Sequence, residues 1–114
     1  MFYNKTTWLS SFFSISNEEM NKMNGKYRNG QIKMEDHDGF RSYYYENGVL
    51  KAIGHFDGKM QGEWRFYRKS GKLWQVGHLM DDYKHGPWLR YDHNGKIEKE
   101  TYFINGKAQK DKGE

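Results

Sequence analysis

Glycines at positions 39, 62 and 86 recur with spacings of 23 and 24 residues, and glycines at 48, 71 and 95 recur with the same two spacings. This period constrains the fold more than any other feature, because one such unit cannot bury its own apolar face and must stack on its neighbour. Aligned from Gly39, the three units share the columns Tyr44/Tyr67/Tyr91, Leu50/Leu73/Ile97 and Phe56/Leu79/Phe103, with Trp64 and Trp88 matched in the last two. In each, a short ring-rich run precedes Glu46-Asn47-Gly48, Lys69-Ser70-Gly71 or His93-Asn94-Gly95, and a second run returns to Phe56, Leu79 or Phe103. Asn-Gly favours a hairpin turn because both residues accept positive φ, so each unit reads as a β-hairpin. Polar connectors (Asp57-Gly58-Lys59, Asp81-Asp82-Tyr83, Asn105-Gly106-Lys107) join one hairpin to the next.

The expected fold is therefore all-β: an elongated antiparallel meander of β-hairpin repeats with a short N-terminal helical cap. Residues 39–108 form the three repeats. Residues 26–38, where Asn29-Gly30-Gln31-Ile32 echoes Asn47-Gly48-Val49-Leu50, form a degenerate leading hairpin. Residues 1–25 form the cap, with a helix near 17–24 opened by the Ser16-to-Glu19 capping box and stopped by Gly25, beside a Trp8-Phe12-Phe13 cluster. Residues 109–114 form a flexible tail. Period-two alternation puts Trp64 and Phe66 on one face, Arg65 and Tyr67 on the other. Trp64, Trp88 and the Leu50/Leu73/Ile97 column are expected to be buried.

Composition agrees. The chain holds 9 Tyr, 7 Phe and 4 Trp against 14 Ala, Val, Ile and Leu together, a ring-rich mixture suited to thin, half-wet layers and not to a doubly wound α/β enzyme. With no cysteine there is no disulfide scaffold, thiolate metal site or thiol nucleophile, and the expected compartment is reducing and cytoplasmic. No apolar run reaches the length of a bilayer span, and Trp8–Ile15, cut by three serines, makes a poor signal peptide.

Chemistry-bearing motifs are missing: no phosphate loop, dinucleotide fingerprint, nucleophile elbow or zinc-binding helix. His55 and His78 share a column with Tyr102, which favours packing over metal ligation. Glu35-Asp36-His37-Asp38-Gly39 reads as a solvated acidic turn, and Asp81-Asp82 as turn residues with no acid/base role. No enzyme activity, metal or cofactor is expected. The net charge of +4 is concentrated in residues 39–110, which hold 13 Lys/Arg against 8 Asp/Glu. Positions that break the repeat are free to serve a ligand. Arg68, Arg90 and Trp74 are the first candidates for partner binding, expected to cluster on one face, with Arg65 and Tyr43 behind them.

Tyr-Glu-Asn-Gly (45–48), Gly-His-Phe-Asp-Gly-Lys (54–59), Gly-Lys-Leu (71–73) and Lys-His-Gly-Pro-Trp (84–88) resemble the bacterial variant of the MORN repeat, as found in YwqK-family antitoxin-like proteins. The resemblance covers residues 39–108. It implies a hairpin array that binds partners, commonly proteins and in some relatives membrane lipids, with no catalytic residues. This chain departs from the pattern at Arg41, where later units have Trp, and at Thr101, where Gly54 and Gly77 stand in the earlier ones. The expected function is a non-enzymatic protein that docks on and inhibits a partner protein, as an antitoxin or a phage-borne inhibitor of a bacterial effector does. The alternatives are RNA or single-stranded DNA binding through basic, aromatic strands, and attachment to anionic membrane. A homodimer is compatible with each.

Overall fold

The computed structural model describes residues 16, 17, 19, 20 and 24–110. Among the described residues eight strands form: β1 (Met34–His37), β2 (Phe40–Tyr44), β3 (Leu50–Phe56), β4 (Met60–Tyr67), β5 (Leu73–Met80), β6 (Tyr83–Tyr91), β7 (Ile97–Ile104) and β8 (Lys107–Ala108). They make one antiparallel sheet in sequence order, an open meander with extents of 65 × 30 × 23 Å.

Four five-residue segments, 27–31, 45–49, 68–72 and 92–96, close alike. The first N–H donates to the last carbonyl and the fourth N–H to the first carbonyl, as in Tyr45 N to Val49 O and Gly48 N to Tyr45 O, both 2.9 Å. Only the fourth residue, Gly30, Gly48, Gly71 or Gly95, has positive φ. These are three-residue hairpin loops that end in a glycine bulge, so the expectation of positive φ at both Asn and Gly is corrected. The two-residue turns with positive φ at both positions lie at the other rim: Asp38-Gly39, Asp81-Asp82 and Asn105-Gly106. Asp81 and Asp82 occupy the left-handed region because short polar side chains tolerate it. The Asp82 carboxylate also accepts Met60 N–H at 2.7 Å, which ties the turn to the preceding connector.

At Gly71, φ is +94° and a Cβ would meet nothing within 4 Å, so the backbone alone demands glycine. Gly71→Val is expected to cost roughly 1–3 kcal/mol through strain, read as a lowered thermal midpoint. An unchanged melt would refute the turn geometry.

The core lies on one face. Register aligns Arg41, Gly54, Trp64, Gly77, Trp88 and Thr101 in a single cross-strand row. Trp64 is fully buried and Trp88 6% exposed; with Ala52 and Leu79 they form the core, covered by Tyr43, Phe56, Met60, Phe66 and Phe103. Each indole lies flat over the glycine one strand back. A Cβ on Gly54 would stand 2.4 Å from the Trp64 ring, and one on Gly77 2.1 Å from the Trp88 ring. Each indole N–H donates to the carbonyl one residue beyond that glycine, Trp64 Nε1 to His55 O at 3.0 Å and Trp88 Nε1 to His78 O at 2.8 Å. Rings laid along the sheet bury one another sideways, so a single layer gains a dry core without a second sheet.

The departures from the repeat are thereby explained. Arg41 fills the Trp column with its guanidinium 3.6 Å from the Phe56 ring centroid, while Asp36 receives its Nε and Nη2 at 2.7 and 2.9 Å. That hydrogen bond holds the Asp36 carboxyl below its ordinary range. Thr101 sits on the strand where no tryptophan follows, so a side chain is tolerated. In contrast to expectation, the Leu50/Leu73/Ile97 column is not buried: Leu50 and Leu73 are half-buried and Ile97 is 57% exposed, with no further unit over it among the described residues.

Among the N-terminal residues, Ser16 Oγ accepts Glu19 N–H at 3.2 Å. The rest of the expected helical cap, the Trp8-Phe12-Phe13 cluster and the end of the tail lie outside the described residues.

Candidate functional site

Each unit carries one bulge where a strand returns from its three-residue loop. Lys51, Trp74 and Glu98 are left without a cross-strand partner between the pairs Tyr43–Ala52 and Tyr44–Leu50, Phe66–Gln75 and Tyr67–Leu73, Arg90–Lys99 and Tyr91–Ile97. In the first unit Lys51 Nζ lies 5.5 Å from the Tyr45 ring centroid; in the second, Arg68 lies 5.8 Å from that of Trp74. Cation and ring have exchanged columns, so Arg68 and Trp74 together keep a contact that the repeat already makes.

Arg68 is further committed. Tyr27 and Tyr45 hydroxyls donate to the carbonyls of Tyr44 and Tyr67 at 2.8 and 2.7 Å, and Arg68 Nη2 donates to the corresponding carbonyl of Tyr91 at 3.0 Å. A parallel ladder runs from Asn29 to Glu46 O, Asn47 to Lys69 O and Lys72 to His93 O. Arg68 is therefore a clasp between units, reaching the residue beside Arg90, and Trp74 packs on it from within the second unit. Arg68→Ala is expected to cost about 1–2 kcal/mol, since it removes a charge-assisted bond to a carbonyl. A stability change within error in urea unfolding would argue against the clasp.

Arg90 lies on the Trp face opposite Gln75 and Lys99, with its Nε 2.8 Å from Glu98. Tyr43 is on the same face, half-buried, its ring centroid 6.2 Å from that of Trp64, which makes it part of the core cover. Arg65 is the candidate that stands apart. It is exposed on the opposite face, paired with Glu63 at 3.1 Å, in the cross-strand row Ser42, Ile53, Arg65, Val76, Leu89, Glu100. Alongside run the pairs Tyr44–Leu50, Tyr67–Leu73 and Tyr91–Ile97, with Phe40 and Tyr102, 42% and 54% exposed, near the other rim. His55 lies on this side against Phe40, ring centroids 4.1 Å apart.

The two faces thus differ in kind. One is closed over by its own rings. The other carries the half-buried Ile53, Val76 and Leu89 around an exposed arginine, and among the described residues all eight strands lie in the one sheet, so no described strand packs over them. These three aliphatics were not among the sequence candidates. Their signal is the alternation that places them out of phase with the tryptophans. Among the described residues, no group of three or more His, Asp or Glu is placed to hold a metal ion, and no helix is long and apolar enough to cross a membrane.

Neither the curated proteins nor the solved structures offer a significant match to the chain. The family model described as the MORN repeat variant does match, at residues 38–57, 60–79 and 84–105. These segments coincide with the three stacked units and make up more than half of the residues, and the chain belongs to the MORN repeat variant family.

Proposed function

We propose that this protein is a non-enzymatic binding module that docks on a partner protein through the open face and blocks it, in the manner of an antitoxin or a phage-borne inhibitor of a bacterial effector. The observation that supports this reading is the row Ile53, Arg65, Val76, Leu89, a half-buried aliphatic stripe with an exposed arginine within it. Apolar residues around an Arg anchor are the usual composition of a protein-binding centre. The nucleic-acid reading is weaker because Arg41, Arg65 and Arg90 are each held by a carboxylate, from Asp36, Glu63 and Glu98, and are less available to phosphate.

The test is affinity capture from cells of the source with the parent and with the double variant Val76→Glu/Leu89→Glu. A captured protein should then be reassembled from purified components and its own activity measured. The expected result is a defined complex that inhibits the partner and that the double variant, still folded by circular dichroism, weakens at least about tenfold. Undiminished binding by the variant would overturn the docking face. Capture of RNA with steep salt dependence, or of vesicles containing anionic lipid, would overturn the protein reading.

A further inference from the structure

On the Trp face, the last unit changes chemistry. Columns filled by Met60, Phe66, Gln75 and Gly77 in the second unit carry Lys84, Arg90, Lys99 and Thr101 in the third. These residues line a shallow concavity with Gln75, Trp88 and Phe103. Lys84 Nζ is seated over the rings of Trp88 and Phe103, 4.4 and 4.8 Å from their centroids. Thr101 pairs with Trp88 across the strands and Lys99 with Arg90, and both lysines line the same concavity as Thr101. Arg90 is neutralised by Glu98. Neither Lys84 nor Lys99 has a carboxylate partner among the described residues. Two unneutralised cations beside a hydroxyl and an amide form a seat for an anion.

Beside this seat β8 pairs with β7 only at Phe103 and Ile104, with Gln109 N–H reaching Tyr102 O at 2.7 Å, so among the described residues the outer edge of β7 from Ile97 to Thr101 has no strand against it. An added strand would put alternate side chains within about 5.5 Å of Lys99 and Thr101. The geometry points to an extended acidic polypeptide segment that pairs with the outer edge of β7 and places its carboxylates against Lys99 and Lys84. A carboxylate carried on a strand fits better than a phosphate because the backbone groups left on the outer edge of β7 are spaced for the ladder of an added strand. No nest of free backbone donors converges there, as phosphate sites usually require. The charged edge residues Lys99 and Glu100 also repel an unselected apolar strand, and Lys99 favours one with acidic residues on the Trp face.

This site lies on the face opposite the proposed docking stripe and stands independently of it. The probe is a soluble peptide of alternating Glu and Thr, compared with its Gln–Thr counterpart and with inorganic phosphate, titrated by calorimetry on the full chain. The expected result is binding of the Glu peptide at least about tenfold tighter than the Gln peptide, weakened by salt, with slowed amide exchange confined to Ile97–Thr101. Lys99→Glu, which disturbs no ring contact, should abolish binding while Val76→Glu/Leu89→Glu leaves it unchanged. Equal affinity for the two peptides, indifference to Lys99→Glu, unprotected β7 amides, or displacement of the Glu peptide by equimolar phosphate would each overturn the proposal.

Discussion

Gly77→Ala is expected to destabilise the protein by about 3 kcal/mol or more, an unusually large effect for the addition of one methyl group. The new Cβ would lie 2.1 Å from two atoms of the Trp88 ring, and neither side can give way. Gly77 is held in the β5–β6 ladder opposite Trp88 itself, and the indole is fixed by its hydrogen bond to His78 O. The ring must therefore leave, exposing a side chain that is now 6% accessible and uncovering Phe66, whose centroid is 5.5 Å away. Urea unfolding of the parent and of Gly77→Ala measures the cost directly. Two companions separate the ring clash from any general intolerance of the strand. Thr101→Gly, in the same column with no indole above it, should shift stability by less than about 1 kcal/mol. Gly77→Ala combined with Trp88→Leu should be less than additive, because the clash has already been removed. Parental stability for Gly77→Ala alone would show that the flat stacking of indole on glycine is wrong.

Trp64→Ala should be comparably severe, costing about 3–5 kcal/mol, since this is the only large side chain among the described residues that is completely buried. Trp64 joins the first unit to the second. It lies over Gly54, touches Tyr43 and Phe66 with ring centroids 6.2 and 6.3 Å away, and donates to His55 O. Among the described residues no second sheet stands over this one to collapse into the cavity, so little of the loss is recovered. Denaturant unfolding of the variant should show the loss as a lowered midpoint, and Trp64→Phe should recover only part of it. If Trp64→Ala retained full stability while losing its partner, the tryptophan face would be the recognition surface and the proposed docking stripe would be displaced.

Much of the architecture was legible from residue types. The period predicted the number of units, and the turn glycines marked the loops. The Ser16-to-Glu19 capping bond and the positive φ of Gly30 both follow signals in the sequence. The classes of the turns were not legible in the same way. Asn47-Gly48 and Asn94-Gly95 look like two-residue turns, yet the loops span three residues, because Tyr45 and Asp92 pair with Val49 and Lys96 through the bulged register.

The candidate site was read less well, for a specific reason. Arg68 and Trp74 look like departures from the pattern when each column is scanned alone. Only the fold shows that their columns are in contact, so that a Tyr–Lys pair in one unit becomes an Arg–Trp pair in the next. Arg68 also takes over a hydrogen bond that Tyr45 makes, to a carbonyl 23 residues away.

The sequence by itself determined the repeat, the β-hairpin character of each unit and the partition of Trp64, Trp88 and Phe66 from Arg65. Those properties follow from local turn chemistry and from the two-residue alternation of a strand. Tertiary structure alone decided that Gly54 and Gly77 are glycines for the sake of an indole one strand away, that Arg68 binds its own neighbour, and that Ile53, Val76 and Leu89 line up, half-buried, around Arg65 on the opposite face. Each of these depends on register, which the bulges at Lys51, Trp74 and Glu98 shift at every unit, and on contacts between residues that are distant in the chain and adjacent in the sheet.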